Sequence, residues 1–233
     1  MEQHSAQYHQ RRRIWYVVIA ILIMYIIFAL IYSYWPDFNK YDHAKNFDLS
    51  AQNLLEHLPV KPLDSSKKYD RKKFGHGWQP WGKCNTRQRI LQRDLTDKTF
   101  DGCHVIAGKL YDLYTGNFMI IKNKAEMHKN VQIDHVVALA NAWQTGAAEL
   151  STARRQELAN DDLELLAVSS KSNLQKSSSD ANQWLPTNIK FRCAYVARQI
   201  AVKIRYHLWV TAAEKATMKK IIGHCPMLAV PEH

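Results

Sequence analysis

The sequence predicts an α+β fold, with two short strands and a helix at its centre, further helices around them, and one transmembrane helix in front. Three observations carry this. Residues 14–34, IWYVVIAILIMYIIFALIYSY, run for 21 positions without a charge. As a helix rising about 1.5 Å per residue, that stretch spans about 30 Å, the thickness of a hydrocarbon core. Val131-Gln132-Ile133-Asp134-His135-Val136-Val137 is β-branched and bounded by polar residues, as a strand is. Leu165-Leu166-Ala167-Val168 is a second apolar run, stopped by the turn-like Ser169-Ser170-Lys171-Ser172, and a helix-compatible segment from Ser178 to Trp184 ends at Pro186.

The elements follow in chain order. Arg11, Arg12 and Arg13 precede the apolar span, mixed charges follow it, and Trp15, Tyr16, Tyr32, Tyr34 and Trp35 sit near its ends. The positive-inside rule and the preference of aromatic rings for headgroups then give a cytoplasmic segment 1–13, an anchor 14–35, and everything later on the outer face of the cell membrane. A cleaved signal peptide is the competing reading; the stretch is long for one, and no A-x-A-like site follows. Residues 36–68 read as a linker holding one short helix, capped by Ser50, striped by Leu54, Leu55 and Leu58, and stopped by Pro59 and Pro62. The globular domain is expected over 69–233. Leu139–Thr145 and Ser151–Ala159 look like helical inserts, and Tyr195–Trp209 and Thr211–Ile222 carry helical apolar spacing.

Composition narrows the class. At 46% hydrophobic and 23% charged, the chain is a folding sequence and not a disordered one. The net charge is +11; residues 1–35 hold three arginines against Glu2, or +2, which leaves +9 beyond the anchor. A field of that sign attracts nucleic acid or an anionic surface. Cys84, Cys103, Cys193 and Cys225 form an even set beyond the anchor, in a compartment where disulfides persist. No C-x-x-C pair suggests structural zinc. Three connectivities are open, and short loops favour Cys84–Cys103 with Cys193–Cys225.

Asp134-His135 and Asn173 form the constellation with chemical content. Phosphodiester hydrolysis needs a base for water and neutralisation of charge on the phosphate and leaving oxygen. Histidine titrates near working pH, and a carboxylate with an amide oxygen suits one hard divalent cation. Strand neighbours point to opposite faces, so both residues serve one site only if the strand end bends.

Five ordered blocks carry a family resemblance: YDRKKFGHGWQPWGKCNTRQRILQRDL (69–95), GKLYDLYTG (108–116), VQIDHVVALANAWQTGA (131–147), ELANDDLELLAVSSKSNLQKSSSDANQWLP (157–186) and FRCAYVARQIAVKIRYHLWV (191–210). The chain resembles the HNH endonuclease domain at the C-terminus of the GmrSD restriction enzymes, in the secreted branch common among Gram-positive bacteria. The resemblance implies a ββα-metal (HNH/His-Me finger) core. It makes His135 the general base, Asp134 and Asn173 the ligands of a divalent metal, Mg²⁺ or else Mn²⁺, and nucleic acid the partner, with DNA favoured over RNA. The middle Asn of the HNH name falls on Glu164, a departure. In the family the middle residue braces the loop of the base, so here the bracing is either rearranged or supplied by Asn160, with Glu164 an alternative extra ligand.

Arg87, Arg93 and Lys176 lie in matched blocks as expected phosphate contacts. Lys190, Arg192, Arg198, Lys203 and Arg205 form a basic stretch suited to a nucleic-acid backbone, although a solvated helix face is the plainer account of any one of them. Trp78, Trp81, Trp143 and Trp184 read as core. The implied function is a membrane-anchored endonuclease of little sequence preference; the alternative is a catalytically inactive DNA-binding receptor of the same fold. The sequence does not give the oligomeric state.

Overall fold

In the computed structural model, which describes Trp15, Leu22, Met24, Tyr25, Ile26 and residues 50–225 and 230–231, helix α1 (Ala51–His57) starts where the Ser50 side chain accepts the Asn53 N–H at 3.2 Å. The predicted span 14–35 lies outside the described residues except at those five positions, which are helical and exposed. Among the described residues, no helix is long and apolar enough to cross a membrane. The chain divides into two units, 1–43 and 44–233.

The second unit reaches further back than the expected domain start at 69. Ala51, Leu54, Leu55 and Leu58 are buried in the main core, Val60 bridges Val210, and the Trp209 indole donates to the Pro62 carbonyl. Part of the expected linker is therefore packed structure, because the leucine stripe finds an apolar surface to cover.

A 3-10 turn (Arg71–Phe74) leads into a two-stranded ribbon, β1 (Pro80–Trp81) and β2 (Cys84–Asn85), and then helix α2 (Thr86–Asp94), capped by Asn85. An antiparallel meander follows, of β3 (Leu95–Asp101), β4 (His104–Asp112) and β5 (Asn117–Ile121), none of which was expected from the sequence. β3 reads LTDKTFD, with only Leu95 buried, so it carries no clean alternation. Helix α3 (Lys124–Asn130) then delivers the chain to β6 (Val131–His135). Helices α4 (Leu139–Gln144) and α5 (Thr152–Leu158) stand where helical inserts were expected.

β7 (Leu165–Ser169) returns antiparallel to β6, with Val131 opposite Ser169 and His135 opposite Leu165. Every residue of β7 is buried, because this ribbon is the wall between two cores. Leu165 and Ala167 join Val131 and Ile133 against the meander, whereas Leu166 and Val168 face the helical core, the period-two alternation of a strand. Helix α6 (Ser170–Lys176) begins at once, earlier than expected. The serines after Val168 are a helix start and not a turn: Ser169 accepts the Ser172 N–H at 3.2 Å. Residues 178–184 instead form turns, held by Asp180, whose carboxylate accepts from the Asn182 and Gln183 N–H groups.

Helices α7 (Arg192–Arg205) and α8 (Ala212–Ile222) close the main core beside α1. Both short-loop disulfides are present, Cys84–Cys103 and Cys193–Cys225. The first ties β2 to the β3–β4 turn, and the second ties the start of α7 to the residues after α8.

Candidate active site

The β6–β7–α6 unit opens onto a cleft of about 530 Å³ whose lining includes Arg71, Trp78, Arg87, Gln132, Asp134, His135 and Asn173. Asp134 and His135 both line it, so the strand end presents both neighbours to one space.

His135 is 6% exposed. Its Nε2 lies 3.0 Å from the Ala159 carbonyl. A carbonyl only accepts, so Nε2 carries the proton and Nδ1 keeps its lone pair. Trp78 stacks on the ring, 5.7 Å between centroids and 8° from parallel, fixing its plane from the side. Burial, with the charges of Arg71 and Lys176, lowers the imidazole pKa to about 3, against the Ala159 bond, which raises it. In the free protein the ring is therefore neutral at any physiological pH.

Asp134, 5% exposed, accepts hydrogen bonds from the Tyr114 hydroxyl on Oδ2 and from the Lys176 ammonium on Oδ1 at 3.1 Å. Burial pushes its carboxyl up, while Lys176 and Tyr114 hold it down. The Asp112-Leu113-Tyr114-Thr115-Gly116 turn delivers Tyr114. The Asp112 carboxylate accepts from the Tyr114 N–H at 3.1 Å and the Thr115 hydroxyl at 3.0 Å, and Gly116 supplies the positive φ of +75°. Tyr114 is fully buried, and burial next to Asp134 raises its phenol well above the ordinary value.

Asn173, on α6, donates from Nδ2 to Gln132 Oε1 at 2.6 Å, and no hydrogen bond falls on its Oδ1 among the described residues. The amide is thereby oriented, with its oxygen left over in the cleft wall. The donors here are one carboxylate and one amide oxygen, each with lone pairs to spare, which is the chemistry of a hard divalent cation that keeps water and phosphate in its other positions. These residues fit such an ion.

The expected phosphate contacts divide. Arg87 lines the cleft, half-buried, its Nη2 donating to the Val131 carbonyl at 3.0 Å. Arg93 is turned inward, onto Asp94 and the Asp162 and Leu165 carbonyls. Lys176 has no exposed surface and spends its ammonium on Asp134 and, at 2.7 Å, on the His135 carbonyl. Lys203 is equally buried, against Glu214, Asn141 and the Trp209 carbonyl. Arg198 binds the Asp162 and Leu163 carbonyls, and Arg205 pairs with Asp161 at 3.0 Å. Most of the expected basic track is thus internal scaffolding, its charges bonded to carbonyls or carboxylates of their own fold, and Lys190 is the exposed member of that stretch.

Asn160 does not brace the base. Its side chain joins Gln79 N–H and the Gln156 carbonyl, in a separate hollow beside Arg89 and Asp161. Glu164 does brace it, from beneath: its Oε2 accepts the Val137 N–H at 3.1 Å and its backbone carbonyl the Val136 N–H at 2.8 Å. It is fully buried and absent from the cleft lining, so it is not placed as an extra metal ligand.

Sequence reasoning missed Trp78, Tyr114 and Arg71. By sequence Trp78 reads as core and Tyr114 has no role, although the Asp and Gly around Tyr114 mark a built turn. Trp143 is core as expected, and Trp184 packs edge-on against Tyr114 and Tyr195. Trp81 is 40% exposed.

A strand–strand–helix unit carrying Asp, His and Asn into one cleft defines an HNH-like domain. The chain matches the GmrSD restriction endonuclease C-terminal domain over residues 85–221, and it belongs to that family. It is also 37% identical, over 179 residues, to an uncharacterized secreted protein of Arthroderma benhamiae, covering 76% of this chain and 85% of that one. No solved structure matches it.

Proposed function

We propose that the protein is a metal-dependent endonuclease that hydrolyses DNA phosphodiester bonds with little sequence preference, at the outer face of the membrane that residues 14–35 anchor it to. The observation that carries this reading is the oriented neutral imidazole of His135. Its Nε2–H is held by Ala159, its plane by Trp78, and its Nδ1 is left as the one basic atom of the ring. In the free protein the base is weak, at about 3. A phosphate entering between Arg71 and Arg87 brings negative charge beside the ring, which favours the imidazolium and raises that value as catalysis requires. His135 then takes a proton from water as the water oxygen attacks phosphorus. The bond from phosphorus to the leaving 3′-oxygen breaks, and that oxygen takes up a proton from solvent; Arg71 and Arg87 orient the non-bridging oxygens.

Asp134 and Asn173 would hold a divalent cation, Mg²⁺ or Mn²⁺, which supplies charge neutralisation at the scissile phosphate. Lys176 and Tyr114 fix the Asp134 carboxylate from behind, so that it faces the cleft without searching rotamers. No described element resembles a base-reading helix or finger, in keeping with low sequence preference. The uncharged 21-residue stretch and the disulfides support an external catalytic unit.

The test is incubation of the purified protein with supercoiled plasmid and with single-stranded DNA, in Mg²⁺, Mn²⁺ or EDTA. Cleavage with metal and none in EDTA is expected. A folded protein that cuts neither substrate, or that cuts equally in EDTA, contradicts the proposal.

A further inference from the structure

The two edges of the β3–β4–β5 meander are built differently. β3 carries Asp97, Lys98 and Asp101 within seven residues, its register against β4 shifts twice, and Asp97 stands at a positive φ of 48°. Charges and irregularities of that kind keep a further strand from adding to an edge. Its exposed aromatic, Phe100, borders the turn that the Cys84–Cys103 disulfide ties down.

β5 has none of these devices. Asn117-Phe118-Met119-Ile120-Ile121 holds no charge and no proline, and it pairs with β4 in unbroken register, from Asn117 opposite Asp112 to Ile121 opposite Gly108. Met119 and Ile121 turn into the core under the meander, so strand alternation sends Phe118 and Ile120 outward, where they are 60% and 67% exposed. Tyr111, opposite Phe118, packs its ring 4.9 Å away, and Lys109, opposite Ile120, is neutralised by Asp97 at 2.7 Å. This face is therefore apolar and locally neutral on a chain of net charge +11, which disfavours a nucleic-acid strand as its cover. Alternate residues of β5 turn their N–H and C=O groups away from β4. Among the described residues, no hydrogen bond meets those of residues 118–121.

A row of unpaired main-chain groups takes an extended strand, and the strand that matches this one is itself. We infer that β5 is a docking edge for a second copy of this chain, the two β5 strands pairing antiparallel about Met119. In that register Phe118 of each copy stands opposite Ile120 of the other, on one face of the sheet, and the apolar pairs cover each other. Lys122 falls opposite Gly116, so two chains of like net charge bring no like charges together. The contact uses the same surface on both copies and closes on a two-fold axis. The two three-stranded meanders become one continuous sheet whose outer edges are the two blunted β3 strands. A different protein would have to supply a matching uncharged strand, whereas a second copy brings one by construction.

The inference does not depend on the nuclease reading, and its test is the state of association. Sedimentation equilibrium of the full chain in density-matched detergent, over a dilution series, should show a dimer that dissociates reversibly. The micromolar range is expected, because one strand pair is small beside the roughly 1,200–2,000 Å² of a stable interface. Ile120→Lys and Phe118→Lys, both at exposed positions and checked for folding by circular dichroism, should each weaken association by about thirtyfold or more, as loss of a central interface side chain does. Phe100→Lys, on the blunted edge, should leave it unchanged. Hydrogen exchange of the wild type gives a reading that needs no variant: β5 amides should slow as concentration rises, and β3 amides should not. A wild type that is monomeric throughout overturns the inference. So does a dimer that survives both β5 substitutions, one that Phe100→Lys weakens equally, or β5 exchange that ignores concentration.

Discussion

Two fully buried lysines sit in two parts of the molecule and are wired alike, yet their surroundings differ. Lys203, on α7, pairs with Glu214 at 3.0 Å and donates to the Trp209 carbonyl; Lys176, on α6, pairs with Asp134 at 3.1 Å and donates to the His135 carbonyl. The Glu214 carboxylate is sealed, whereas that of Asp134 lines the cleft. The first pair is a closed bond between helices. The second is a bond whose anion also faces the outside, so the same interaction that holds the strand end also aims a ligand. What separates scaffold from site is access for the partner, not the lysine.

Substitution can break that comparison. Lys176→Met and Lys203→Met should each destabilise the fold by about 3–5 kcal/mol in urea titrations, because each strands a buried carboxylate. Folded Lys176→Met should also lose cleavage, about a hundredfold in kcat/KM, since it frees both Asp134 and the His135 carbonyl. Folded Lys203→Met should cleave as the wild type does. Replacing both Lys203 and Glu214 by apolar residues of similar size should recover most of the lost stability, as closed pairs allow.

The acid side of the stability curve sharpens the contrast further. The folded His135 resists protonation down to about 3, whereas an unfolded histidine takes its proton near 6.5. The unfolded state thus binds more protons in that window, and stability falls as pH drops through it, by several kcal/mol at its lower end. The raised carboxyls of Asp134 and Glu164 act in the opposite sense, so the comparison is with His135→Gln. Urea midpoints of the wild type should fall relative to that variant between pH 6.5 and pH 3; parallel curves would contradict the buried neutral ring.

The smallest effect belongs to Arg87. Arg87→Ala should weaken DNA binding and reduce the slope of log affinity against log salt by about 1, the signature of one phosphate contact. An unchanged slope would assign Arg87 to its Val131 bond alone.

Much of the centre was legible in the sequence. The β-branched run ending in Asp134-His135 and the Leu165–Val168 run announced a strand pair, because a ribbon buried on both faces must be apolar nearly throughout. Helix α6 was misplaced, because Ser169 serves equally as a turn residue and as a cap until its partner is known. The meander stayed hidden, since a strand as polar as β3 is defined by its neighbour β4 and not by its own pattern. Charge was legible and burial was not: Lys176, Lys203, Arg93 and Arg198 read as phosphate contacts because nothing local says that a lysine or arginine points inward. Trp78 reaches the cleft, and Tyr114 the buried side of Asp134, from more than fifty and about twenty residues before the base, distances that only the fold closes.

The central claim is that His135 is the base of a DNA-cutting site. Its most direct test compares the wild type with His135→Ala on supercoiled plasmid in Mg²⁺ or Mn²⁺, with circular dichroism establishing that both are folded. The account predicts cleavage by the wild type and a loss of about 10² to 10⁴ in the variant, the range of a general base. Equal cleavage by both proteins would contradict it, and DNA binding without cleavage by the wild type would make this domain a receptor.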